Sequence, residues 1–187
     1  MTYLASNSFK CTANMGQAEL AMIEAGIITK PFDGATTQED MLQGTDVWSD
    51  GKRIQLRCST DVGPAGTFFH EANIGMKPDA SRLKKTELEK LRVSDVPLFC
   101  QFWMESGWEA KPLLQRRLTG IVVIDLHLLF KFIDLAESRG EPWHQGIVSG
   151  DRGKGHNDFC KLSFMKDDGT PRRFVLHHFC PSCSRNS

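Results

Sequence analysis

Polar and apolar residues alternate along Arg53-Ile-Gln-Leu-Arg-Cys58, and Asp50-Gly51 separates this run from Thr45-Asp-Val-Trp-Ser49. The Asp-Gly pair is a strong two-residue turn signal and predicts a β-hairpin joining the two segments. A type I′ turn needs positive φ at both central positions, and Asp and Gly tolerate it. The turn then sets the register: Ser49 faces Lys52, Trp48 faces Arg53, Val47 faces Ile54 and Asp46 faces Gln55. Thr45, Val47, Ile54, Leu56 and Cys58 fill one face, and Asp46, Gln55 and Arg57 share the other.

Around this hairpin the pattern predicts a helix over residues 14–25, with Asn14 as N-cap and Gly26 as its stop. Leu20, Ile23 and Ile27 are its apolar stripe, and Glu19 and Glu24 flank it. A short strand is expected near residues 27–32. Residues 59–81 are rich in Gly and Pro and read as a loop able to cover the polar face of the hairpin. A helix over 81–93, strands over 97–103 and 118–126, and a helix over 128–138 closed by Gly140 and Pro142 follow. Residues 146–157 read as another loop, and strands over 159–165 and 172–178 as a last hairpin around Asp167-Asp168-Gly169. The sum is a single α/β (α+β) domain over residues 1–187, a mixed central sheet flanked by helices, with 150–187 a C-terminal hairpin and Cys-containing tail.

Composition narrows this picture modestly. A chain of 187 residues suits one full hydrophobic core. Its 23 Lys and Arg balance 23 Asp and Glu, so any basic surface for nucleic acid must be local. The N-terminus lacks a charged start followed by an apolar block, and the run 121–132 is interrupted by Asp125, His127 and Lys131, so neither a secretory signal nor a membrane partner is expected. Six scattered cysteines favour a reducing compartment over a disulfide scaffold, with the cytoplasm as the expected location.

Gly16-Gln-Ala-Glu19 on a helix, Pro31 to Asp33, Gly44-Thr-Asp46 and Ile54-Gln-Leu-Arg57 resemble, in that order, the core of the PD-(D/E)XK nuclease superfamily. Within it they are most similar to the restriction-endonuclease-like and Holliday-junction-resolvase-like members. There a helix glutamate precedes an Asp, and a triplet of acid-or-Gln, any residue and Lys lies on the next strand. The match covers about the first third of the chain. It implies a metal-dependent DNA endonuclease using Mg²⁺ or Mn²⁺, with Asp46 as principal metal ligand, Gln55 as a neutral amide ligand, Glu19 ligating directly or through water, and Arg57 in the place of the lysine. Such a cation takes hard oxygen ligands, contacts the phosphate and acidifies a bound water. DNA is the implied partner, and a homodimer would let both strands be cut.

Arg57 departs from the pattern. A guanidinium stabilises phosphate charge with a bidentate fork but cannot accept a proton. A catalytically weak or inactive nuclease-fold module that binds nucleic acid or a protein is therefore the alternative. Asp46 also has a plain reading, as a strand-end acid paired with Arg53 or Arg57. Arg82, Lys84 and Lys85 are either a solvated helix face or contacts to DNA phosphates. Phe68, Phe69 and Trp108 either stack on unpaired bases or pack inside. Cys180-Pro-Ser-Cys183 has zinc-type spacing and, with His178, offers three donors for Zn²⁺, with His156 or Cys160 as a fourth. A single Cys pair falls short of the two that a zinc ribbon needs, and frayed terminal cysteines are its plainer reading.

Overall fold

The turn forms at Asp50-Gly51 as that pair predicts, with φ of 51° at Asp50 and 71° at Gly51. It joins β2 (Val47–Ser49) to β3 (Lys52–Thr60) in the expected register, Val47 opposite Ile54, Trp48 opposite Arg53 and Ser49 opposite Lys52. The computed structural model describes residues 3–36, 46–60, 71–78, 87–144, 147–149 and 157–179. Asp50 also pins the turn to the preceding loop, since its carboxylate accepts from Thr29 N (2.6 Å) and Thr29 Oγ1 (2.8 Å). These bonds hold the Asp50 carboxyl below the usual carboxylate range. Their contribution to stability is present above the unfolded-state pKa and fades as pH falls through the folded one.

A Cβ added at Gly51 would meet nothing within 4 Å, so only its left-handed φ resists substitution. Gly51→Ala is therefore expected to cost about 1 kcal/mol, the ordinary penalty for an L-residue in that region. In urea unfolding it should lower the midpoint and leave the slope unchanged.

Among the described residues, two sheets and three α-helices make an α+β fold. In the larger sheet, of mixed sense, β1 (Asp33–Gly34), β2 and β3 form an antiparallel meander. β5 (Leu98–Met104) lies parallel to β3, and β6 (Leu118–Asp125) and β9 (Val175–Phe179) continue it antiparallel, giving the order β1-β2-β3-β5-β6-β9. The smaller sheet has β8 (Asn157–Ser163) between β4 (Glu71–Pro78) and β7 (Ile147–Ser149).

The alternation of β3 and β5 divides the interior into two layers. Val47, Ile54, Leu56, Cys58, Leu98, Cys100, Phe102, Ile121 and Val123 pack with Ala18 and Met22 of α1 (Tyr3–Glu24). On the other face, Phe99, Trp103, Val122 and Ile124 pack against Leu91 of α2 (Glu87–Val93), Leu129 and Ile133 of α3 (Leu126–Ser138), and Leu162 and Phe164.

Several sequence expectations change. Asn14 is no cap: α1 begins well before it, and Asn14, 1% exposed, accepts from Arg116 Nη1 at 3.3 Å. The buried ridge is Asn14, Ala18 and Met22 at i, i+4, i+8, where small Ala18 admits the sheet, and Leu20 is 56% exposed. Gly26 does end the helix, with Ile27 N bonded to Met22 O and Gly26 N to Ile23 O, a Schellman arrangement. No strand occupies residues 27–32, and β1 is only Asp33–Gly34. Part of the loop expected over 59–81 is β4, and part of that expected over 146–157 is β7. The expected last hairpin divides: β8 and β9 flank the Asp167–Gly169 turn but join different sheets. Only the bridge between Met165 and Pro171 pairs their ends. For the helix expected over 81–93, the part before Glu87 lies outside the described residues.

Candidate functional site

Asp46 stands one residue before β2, at the open end of the hairpin. Its N–H donates to Ile54 O (3.0 Å), and its carboxylate Oδ2 accepts the N–H of Leu56 (2.6 Å). The carboxylate thus stands where a main-chain carbonyl would continue the ladder. Gln55 Nε2 donates to the same Oδ2 at 2.6 Å and lies 3.3 Å from Leu56 O. Ala35 N, just past β1, donates to Asp46 O at 3.1 Å, so the meander holds Asp46 from both sides. The acid and the amide expected opposite each other are in side-chain contact, one residue beyond the last strand pair, Val47 with Ile54.

Arg57 lies two residues on, so its side chain leaves β3 on the same face as that of Gln55. Its guanidinium carbon lies 5.7 Å from the ring centroid of Phe99, the β5 residue paired with Gln55. Gln55 and Arg57 therefore flank one aromatic ring beside the Asp46 carboxylate. Glu19 is placed differently. From α1 its Oε2 accepts the N–H of Phe32 at 2.5 Å, fastening the helix to the foot of β1.

Among the described residues no three His, Cys, Asp or Glu side chains converge on a common point. A divalent cation would rest here on Asp46, the amide oxygen of Gln55 and water. Mg²⁺ accepts that kind of set, since it binds through one or two carboxylates and keeps several waters. Gln55 turns its amide nitrogen toward Asp46, so ligation through its oxygen requires the amide to rotate by half a turn.

No family model, curated protein or solved structure matches this chain.

Arg82, Lys84, Lys85, Phe68, Phe69, His156, Cys180 and Cys183 lie outside the described residues, as does the side chain of Cys160. Trp108 belongs to the interior: it is 1% exposed, with the Arg116 guanidinium 4.9 Å from its ring centroid, and it offers no platform for a base. His177 and His178 pair with Val123 and Val122, so they point to opposite faces of β9 and only one could join a zinc site. Burial lowers the pKa of His177. Among the described residues no helix is long and apolar enough to cross a membrane.

Gln101 escaped the sequence reading, although it is the one polar residue in the otherwise apolar strand Leu98-Phe-Cys-Gln-Phe-Trp-Met104. It is 2% exposed and pairs with Arg57 on one side and Val122 on the other. Its Oε1 is buried with no hydrogen-bond partner among the described residues. An acceptor left in that state costs about 1–3 kcal/mol.

Proposed function

We propose that this protein is a metal-dependent DNA endonuclease that hydrolyses phosphodiester bonds at the open end of the β2–β3 hairpin. The observation that carries this reading is the contact of Asp46 with Gln55, with Arg57 on the same face of β3. The order of helix, antiparallel meander, crossover helix and parallel strand agrees with a restriction-endonuclease-like core, which is part of the proposal.

Each residue has a separate task. Asp46 brings negative charge to bind the cation, held in place by the Leu56 N–H. Gln55 supplies an oxygen without further charge. Arg57 holds phosphate oxygens and stabilises the charge that builds on them; its permanent protonation leaves it unable to take up the proton of water. Mg²⁺ or Mn²⁺, when bound, supplies Lewis acidity toward the phosphate and acidifies a water. DNA is the proposed partner, and a homodimer would bring two such sites to a duplex.

One observation favours a second reading. Asp46 Oδ2 already accepts two N–H groups, as a purely structural clamp would. In that reading the chain is a nuclease-fold module that binds nucleic acid or a protein without cutting. Incubation with supercoiled plasmid, a branched junction and single-stranded DNA, with Mg²⁺ or Mn²⁺ and with EDTA, decides between them. Cutting that depends on the metal establishes the nuclease; none, with the protein folded, selects the module.

Arg57→Lys should keep or raise the initial cleavage rate, because an ammonium supplies the same charge in the position the resemblance assigns to lysine. A fall to background would show that the guanidinium fork itself is used.

A further inference from the structure

Gln101 lies in the row that crosses the larger sheet from Arg57 through Gln101 and Val122 to His178. Its side chain leaves β5 on the face that carries Gln55 and Arg57, between Phe99 and Trp103. These neighbours are apolar, and a leucine or methionine would suit such surroundings without stranding a polar atom. The unpartnered amide oxygen instead belongs to the residue paired with Arg57, the proposed phosphate ligand.

Strand spacings of about 4.8 Å and a rise of about 3.4 Å per residue put Cα of Gln101 about 5 Å from Arg57 and about 12 Å from Asp46. That is long for a shared inner-shell ligand and suits contact through water. We propose that Gln101 is a positioning residue of this site, its amide oxygen accepting a hydrogen bond from a water on the cation at Asp46 and Gln55. The inference rests on the reading of that hairpin as a metal site. Residues that orient ligands from outside the inner shell change metal affinity about 10- to 100-fold when removed.

The test is a Mn²⁺ titration of the full chain, followed by the electron paramagnetic resonance signal of free Mn²⁺, with thermal unfolding of the metal-free protein beside it. Wild type, Asp46→Asn, Gln101→Leu and Gln101→Met are compared. A positioning role predicts that both Gln101 variants melt at least as high as wild type while binding Mn²⁺ about tenfold more weakly. Lower melting with wild-type Mn²⁺ affinity, or failure of both variants to fold, makes Gln101 structural and overturns the inference. If Asp46→Asn loses Mn²⁺ and the Gln101 variants keep it, the role of Gln101 alone falls. If wild type binds no Mn²⁺, or Asp46→Asn binds as wild type does, the metal site falls and the inference with it.

Discussion

Asp46→Asn should reduce metal-dependent cleavage to background in a protein that still folds. The neutral amide keeps an oxygen that can accept the Leu56 N–H and the Gln55 amide, so the open end of the hairpin stays closed. What disappears is the only negative charge among Asp46, Gln55 and Arg57. A bound cation supplies several kcal/mol of charge stabilisation, so its loss should slow cleavage by about a thousandfold or more. Asp46→Ala should be equally inactive and also less stable, because it leaves the Leu56 N–H without its acceptor. The pair of variants separates charge from clamp: initial rates on plasmid DNA read the first, urea midpoints the second. Retained cleavage in Asp46→Asn would remove Asp46 from the chemistry.

Phe102→Ala is expected to have the largest effect on stability. Phe102 is fully buried on β5, paired with Cys58 on one side and Ile121 on the other, in the layer that packs against α1. Truncating such a ring removes its transfer energy and leaves a cavity, a loss of about 3–5 kcal/mol. Domains of ordinary stability hold only about 5–15 kcal/mol in total, so the variant should be partly unfolded at physiological temperature. Its side chain points away from the face of Gln55 and Arg57, so whatever remains folded should bind Mn²⁺ as wild type does. Equilibrium denaturation of the two proteins measures the difference; a loss below about 1 kcal/mol would mean that neighbouring side chains close the cavity.

Local chemistry explains what the sequence revealed. The β2–β3 register from Val47 to Ile54 was legible because an Asp-Gly pair dictates a turn whose geometry involves no distant partner, and just beyond it Asp46 and Gln55 meet through their side chains. β5, β6 and α3 were legible from continuous apolar runs and a clear stop. The start of α1 was missed because Asn14 has the chemistry of a cap, while its actual partner, Arg116, comes from the far end of the β5–β6 connection. β4 was missed because Gly and Pro dominate its surroundings, and its partner β8 lies far along the chain. The same holds for the last turn, whose sequence cannot say that its two arms join different sheets. Gln101 was visible as one polar letter among apolar ones, yet only the pairing of β5 with β3 sets it beside Arg57.

The partnership of β4 with β8 has a consequence for how the chain comes to be folded. The segment that carries β3 over to β5 also contributes a strand to the smaller sheet, and both sheets take their last members from residues 147–179. During synthesis, then, β4 emerges long before the strand that pairs with it, and β6 waits for β9 with one edge open. Pairings this distant in sequence are slow to form and leave unsatisfied strand edges open to other chains meanwhile. A nascent polypeptide arrested near residue 145 would carry one incomplete sheet and, in β4, a strand with no partner yet made, a state exposed to self-association and dependent on a chaperone.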